Sequence, residues 1–395
     1  MSVTKPQGFR AAGIAAGIKA NGKPDLALVV NDGTHLAGAA VFTPNRFAAA
    51  PVQWSQAAMA RNASMGTSPR VVVLNSGGAN ACTGAEGFAD TEASALKVAQ
   101  LTGVEAEQVL VCSTGLIGDR LKMDKLLPGV ETAYAQLSAD AGAAAAEAIM
   151  TTDTYPKSRA VAVESAAGTV CIGGMAKGAG MLAPELATML VVLTTDAWIT
   201  DDLAKTALES AVAQSFNRID SDGCMSTNDT VILLASGASE IQPDADVFTA
   251  GLTEISQQLA QDLIADAEGA SHDIKIDVVN ASCEGGGLAV ARAIARSNLF
   301  KTAIFGNDPN WGRILSAAGT VPAATAPFDP TQVNVTINGV MVSRGGGVGA
   351  DRNLVDLTNR LVHIVVDLNA GDASVSLWTN DLTHDYVHEN SAYSS

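Results

Sequence analysis

Short apolar runs that break into glycine-rich segments are the feature that most constrains this chain. Val71–Leu74 (VVVL) opens into Asn75-Ser76-Gly77-Gly78-Ala79-Asn80, and Val109–Cys112 opens into Ser113-Thr114-Gly115. Runs this short read as buried strands feeding ligand-facing loops, although periodicity alone does not separate them from buried helix segments. Helical segments fall between them. Thr91–Leu101 and Ala141–Met150 are alanine-rich, and alanine is the best helix former. Asp202–Phe216 repeats apolar residues at Leu203, Ala207, Leu208, Ala211 and Val212, and Leu252–Ile264 does so through Leu252, Ile255, Leu259 and Leu263; both have an amphipathic helical period. The C-terminal part alternates instead: Val333, Val335 and Ile337 lead to Asn338-Gly339, followed by Val340-Met341-Val342. Asn-Gly between such runs is a strong hairpin signal. Leu361–Leu368 and Ala373–Thr379 supply two more strands. The fold class is therefore mixed α/β (α+β), with antiparallel strands near the C-terminus and no repeats or long linker.

With 395 residues, 47% hydrophobic and 16% charged, and 37 glycines, the chain can build two or three lobes with a substantial core. A formal net charge of −17 argues against a broad basic face for nucleic acid or an anionic membrane. The cysteines at 82, 112, 171, 224 and 283 are odd in number and form no CxxC pair, so a zinc ribbon has no support and a reducing compartment is the simplest expectation. The N-terminal stretch has no continuous apolar core and no run approaches membrane-spanning length; the expectation is a cytoplasmic protein.

Several motifs are decoys. Gly17-Ile18-Lys19-Ala20-Asn21-Gly22-Lys23 matches seven positions of a phosphate-binding loop, but Pro24 stands where Ser or Thr is needed, and no strand clearly precedes it. Gly345-Gly346-Gly347-Val348-Gly349 lacks the helix of a dinucleotide fingerprint and reads as a loop. His35, His272, His363, His384 and His388 show no metal spacing in a helical context and read as surface residues; His384 and His388 are four apart in a segment read as strand or tail. No metal site is expected. A Ser-His-Asp triad has no GxSxG support.

Threonine remains as a nucleophile. In Lys177-Gly178-Ala179-Gly180-Met181-Leu182-Ala183-Pro184-Glu185-Leu186-Ala187-Thr188-Met189-Leu190, Thr188 stands where a pliable loop becomes strand-like. A threonine hydroxyl needs a base. Cutting the bond before Thr188 would free its own α-amine, whose unperturbed pKa is about 7.7–8.0. By itself the local pattern is weak, since most threonines at a strand start are structural.

The same stretch resembles the cleavage-site signature of the ornithine acetyltransferase family, the ArgJ proteins of arginine biosynthesis. NSGGANACT (75–83), STGLIG (113–118), MTTDT (150–154), STNDT (226–230), DAEG (266–269), NDPNWGR (307–313) and the final NSAYSS (390–395) follow in the family's order. The matches run from about Gly8 to the last residue and are specific as a set.

The resemblance implies stacked β-sheets flanked by helices, as in the family and its aminopeptidase relatives, with a second lobe in the C-terminal half. It implies self-cleavage between Ala187 and Thr188 into an α chain, 1–187, and a β chain, 188–395, assembled as α2β2. Thr188 would take the acetyl group of N-acetylornithine as an ester and pass it to glutamate, a ping-pong transfer. The Thr114 hydroxyl and Gly115 N–H would form the oxyanion hole, where a single donor contributes roughly 3–4 kcal/mol. Substrate contacts would come from Thr151, Lys177, Thr188, Glu268, Asn390 and Ser395. Lys177 suits an α-carboxylate and Glu268, near the end of an amphipathic segment, suits the ornithine amine. Thr152 adjoins Thr151, and the first is preferred; Ser395 stands where many members end in threonine. No cofactor is implied.

Three rivals stay open: a bifunctional enzyme that also takes acetyl from acetyl-CoA, an aminopeptidase with the same cleaved-threonine chemistry, and a non-catalytic amino-acid-binding protein. The NDPNWGR and NSAYSS matches argue against the aminopeptidase.

Overall fold

The computed structural model describes residues 2–182 and 189–392. The chain forms two compact units, Met1–Asn217 with Cys224–Leu263, and Arg218–Gly223 with Ile264–Ser394.

The first unit carries β1 (Phe9–Ile14), β2 (Leu26–Asn31), β3 (Ala37–Phe42), α1 (Ala50–Met65), β4 (Val71–Ser76), α2 (Gly84–Thr102), β5 (Val109–Thr114), α3 (Met123–Ala135), α4 (Gly142–Ala148), β6 (Lys157–Ser165), β7 (Gly168–Lys177), β8 (Leu190–Thr195), α5 (Asp201–Gln214), β9 (Thr230–Ala235) and nearly all of α6 (Ala245–Ala265). One sheet has the order β1-β2-β4-β5, the other β3-β9-β8-β7-β6. They are stacked: Phe9, Val29, Leu74 and Leu110 from the first share one buried cluster with Met175, Leu190, Val192 and Leu234 from the second. Each such side chain contributes roughly 1.5–3 kcal/mol when fully buried. The outer face of the first sheet is covered by Trp54 of α1, Val98 of α2 and Val130 of α3. Gly174 of β7 lies so close under Leu259 of α6 that an added Cβ would stand 2.9 Å from it. Strands buried on both faces read as unbroken apolar runs, and β2, β4, β5, β8 and β9 are buried at every position.

The runs at 71–74 and 109–112 are indeed strands, and each extends two residues further, through Asn75-Ser76 and Ser113-Thr114, because β4 and β5 pair in parallel register from Val71↔Val109 to Ser76↔Thr114. The backbone ladder carries these polar side chains to the strand ends.

The second unit is built on β10 (Asp273–Ala281), α7 (Glu284–Ala295), α8 (Asn298–Phe305), α9 (Trp311–Ala318), β11 (Asn334–Ile337), β12 (Val340–Arg344), β13 (Gly347–Val348), β14 (Leu361–Asp367), β15 (Ala373–Asn380) and α10 (His384–Ala392). Its sheet has the order β13-β12-β11-β14-β10-β15. Ile274, Ile276 and Val278 of β10 and Val362, Ile364 and Val366 of β14 pack against Val290, Ile294, Phe300 and Ile314 of the helices. The alternation read from the sequence is this one-sided burial. The Asn338-Gly339 hairpin joins β11 to β12 in antiparallel pairing, whereas β14 and β10 run parallel.

Four expectations need correction. His384 and His388 sit in α10, a helix with no buried residue, which is why apolar periodicity missed it. His272 is only 7% exposed: Nδ1 faces Asp381 Oδ2 at 2.8 Å and Nε2 faces the Leu357 carbonyl at 3.0 Å. A strand does precede Gly17, since β1 ends at Ile14, but β2 rather than a helix follows. Gly347 and Val348 form a short strand paired with Ser343 and Arg344, with the turn at Gly345-Gly346.

Candidate active site

Four strands have an end in one region of the first unit, three of them in polar residues. In the second sheet Lys177 ends β7 and pairs with Leu190 at the start of β8, which pairs with Thr230 at the start of β9. In the first sheet Thr114 ends β5. The two sheets meet through Lys177 Nζ, which donates to Thr114 Oγ1 at 3.4 Å; the two residues are 2% and 1% exposed. Accepting from the ammonium leaves the Thr114 hydroxyl proton to be donated elsewhere.

The turn after Thr114 is tightly specified. Gly77 N–H and Gly78 N–H both donate to the Thr114 carbonyl, at 2.9 and 3.0 Å. Gly115 has φ +136°, and a Cβ there would stand 2.4 Å from Gly78 N. Only glycine fits such a position. Asn228 locks the turn to the STNDT segment: its Nδ2 donates to the Ala79 carbonyl at 2.6 Å and the Ser113 carbonyl at 2.8 Å. Three motifs far apart in sequence thus converge.

Asp153 is the electrostatic centre. Its Oδ1 accepts from Lys157 Nζ at 2.6 Å and from Gly178 N–H at 2.7 Å, and its Oδ2 accepts from Thr151 N–H at 2.9 Å. Lys177 Nζ stands 4.0 Å from Oδ2. Burial alone would raise the carboxyl's pKa, but the ammonium groups of Lys177 and Lys157 and the Gly178 N–H outweigh it and hold it at about 2. The β6–β7 hairpin makes this possible, since Lys157 pairs with Ala176 and brings Asp153 beside Lys177. Lys19, from the decoy loop, donates to the Pro24 carbonyl at 2.8 Å and the Met150 carbonyl at 2.7 Å. Burial lowers its pKa, and Lys177 adds to that, against the pull of Asp25 and Asp153. A chain of net charge −17 therefore gathers three lysines about one buried carboxylate, a setting suited to an anionic group.

Next to the candidate junction, Met189 N–H donates to Asp229 Oδ1 at 2.9 Å and Thr230 N–H donates to the Met189 carbonyl at 3.2 Å. Asp229 is fully buried, and that burial pushes its carboxyl well above the usual range despite the Met189 amide, Ser226 and Lys177.

Of the residues singled out in the sequence, Thr114, Gly115, Thr151 and Lys177 belong to this region of the first unit. Thr151 enters through its amide; its side chain is exposed and that of Thr152 half-buried. Ala187, Thr188 and Ser395 lie outside the described residues. Glu268 and Asn390 belong to the second unit, where Asn390 Nδ2 donates to Glu268 Oε2 at 2.9 Å. Glu268 stands in the turn after α6, and Asn390 in α10 rather than in a formless tail. Lys19, Asp153, Lys157, Asn228 and Asp229 were not singled out. Asp153, Asn228 and Asp229 lie inside quoted motifs, which was the available signal.

A family model described as the ArgJ family matches residues 10–395. The chain is 60% identical over 395 residues to the "arginine biosynthesis bifunctional protein ArgJ" of Streptomyces avermitilis, covering all of both chains. It is 58% identical to the protein of the same description from Streptomyces coelicolor, again over all of both. Among solved structures, ornithine acetyltransferase of Mycobacterium tuberculosis complexed with ornithine is 50% identical, covering 48% of this chain and 96% of that one, with a TM-score of 0.43. The protein whose buried lysines and Thr114–Gly115 turn are described above belongs to the ArgJ family.

Proposed function

We propose that this protein is a self-cleaving glutamate N-acetyltransferase that moves the acetyl group of N-acetylornithine to glutamate in arginine biosynthesis. The observation that carries the reading is the Lys177–Thr114 contact at the ends of β7 and β5, with Gly115 held in a conformation only glycine adopts. It supports a hydroxyl donor and a backbone amide at one turn, as an oxyanion hole requires, beside a cation for a substrate carboxylate.

In this reading the bond between Ala187 and Thr188 is cut, giving chains 1–187 and 188–395 that assemble as α2β2 in the cytoplasm. The freed α-amine takes the proton of the Thr188 hydroxyl, which attacks the acetyl carbonyl. The Thr114 hydroxyl and the Gly115 N–H stabilise the oxyanion, and the intermediate collapses to an acetyl ester as ornithine leaves. Glutamate attacks the ester and departs as N-acetylglutamate. Lys177 and the Thr151 region hold the carboxylate end of the substrate. By the family resemblance Glu268, Asn390 and Ser395 are further substrate contacts, with Glu268 suited to the ornithine amine.

Acetyl-CoA as a second acetyl donor is favoured by the word "bifunctional" in the descriptions of the Streptomyces relatives. The experiment is the intact mass of the purified polypeptides together with acetyl transfer assayed from each donor. Two fragments meeting at Ala187/Thr188, absent in Thr188→Ala along with transfer, support the reading. A single inactive 395-residue chain refutes it and leaves an amino-acid-binding protein.

A further inference from the structure

Asp229 is a buried carboxylic acid with half of its hydrogen-bonding capacity unused. It is 0% exposed, and its Oδ1 accepts the N–H of Met189 at 2.9 Å. Its Oδ2 is buried and has no hydrogen-bond partner among the described residues. The Ser226 hydroxyl and amide favour the anion but make no hydrogen bond with Oδ2. An unpaired buried carboxyl oxygen is costly and calls for a reason. Covalent connectivity supplies one. Met189 N is bonded to the carbonyl carbon of Thr188, so the hydrogen bond to Oδ1 anchors the free oxygen within one residue of the proposed scissile bond. Burial keeps this carboxyl protonated at pH values where an ordinary aspartate is charged.

Resting on the reading that the chain cuts itself before Thr188, we infer that Asp229 moves the proton in that cut, through the oxygen left open beside the Met189 anchor. The Thr188 hydroxyl oxygen bonds to the Ala187 carbonyl carbon, and the carbon–nitrogen bond to residue 188 breaks. The carboxyl gives its proton to the departing nitrogen and takes the proton of the hydroxyl. The net result is an ester, a free amine and an unchanged carboxyl. Water then adds to the ester carbonyl, restoring the hydroxyl and leaving a carboxylic acid on Ala187. Lys177 acts on this carboxyl through its charge, favouring the anion against the dominant effect of burial.

The test uses full-length chain from cell-free synthesis, so that cutting is followed from the start by intact mass. Asp229→Asn retains an oxygen for the Met189 N–H but cannot exchange a proton. The expected result is cutting at least about 100-fold slower than wild type, with an unchanged thermal melt. The wild-type rate should fall as rising pH ionises the carboxyl. Asp229→Asn cutting at the wild-type rate overturns the assignment to Asp229 and leaves the self-cleavage reading standing; a wild-type chain that stays whole overturns both. If Asp229→Asn does not fold, the pH profile decides: a wild-type rate that climbs steadily with hydroxide overturns the proton role.

Discussion

Replacing Asp153 by asparagine removes one negative charge from beneath two buried ammonium groups at almost constant volume. Lys157 and Asp153 side chains are both 0% exposed. The carboxyl is held at about 2 against an ordinary 3.8, and at about 1.4 kcal/mol per pH unit this difference corresponds to about 2 kcal/mol. The variant also leaves Lys157 and Lys177 without that counter-charge, and breaking a buried pair from one side costs about 3–5 kcal/mol. The larger figure applies at neutral pH. At roughly 2 °C per kcal/mol for a unit of this size, the melting temperature should fall by about 6–10 °C. The pH dependence has a defined sign. A carboxyl whose folded value is depressed contributes fully above its unfolded value, and that contribution is lost as pH falls from about 4 to about 2. The gap between wild type and Asp153→Asn must therefore narrow between about pH 7 and pH 3 in melts followed by circular dichroism. A variant melting within about 1 °C of wild type at pH 7, or a gap unchanged at pH 3, would refute the central place given to this pair.

Two further outcomes follow from the same geometry. Gly115→Ala places a Cβ 2.4 Å from Gly78 N at φ +136°; acetyl transfer should fall at least about 100-fold, and activity within a factor of two of wild type would contradict the role given to the turn. Lys301 in the second unit, bonded to the Ser221 carbonyl and to Thr379 Oγ1, is pushed down to about 8 by burial, against the pull of Asp220, Asp222 and Asp381. Between about pH 8 and 10.5 the unfolded chain binds the proton that the folded chain has lost, so this lysine should raise stability with pH by up to about 3 kcal/mol. Lys301→Met should lack that slope in urea melts, and an identical slope in both proteins would disprove it.

What the sequence made legible followed from periodicity and local pattern. The apolar runs of β4 and β5, the amphipathic faces of α5 and α6 and the Asn338-Gly339 hairpin each carry their signal within a few residues. The family motifs singled out Thr114, Gly115, Thr151 and Lys177, and the structure brings these four to one region of the first unit. Asp153 escaped because its partners depend on pairing: the β6–β7 hairpin sets it beside Lys177 and Gly178, over 20 residues away. Asp229 escaped for a related reason, since parallel pairing of β8 with β9 brings it to Met189 across 40 positions. Helix α10 offered no apolar stripe, and the burial of His272 depends on Asp381 and Leu357, which the chain reaches only much later.

The strand order β3-β9-β8-β7-β6 determines what a cut between β7 and β8 would do to the life of the molecule. The downstream fragment would own β9 and β8, wedged between β3 on one side and β7 and β6 on the other, all three from the upstream fragment. An intact chain recovers that sheet by an intramolecular search, at a rate independent of concentration. Two separated fragments must find each other, and each meanwhile exposes unpaired strand edges prone to aggregate. Maturation would act as a ratchet: durability would be set by how slowly the sheet opens rather than by how readily it re-forms. Diluted, denatured enzyme would then lose activity for good under conditions from which the uncut Thr188→Ala chain still refolds.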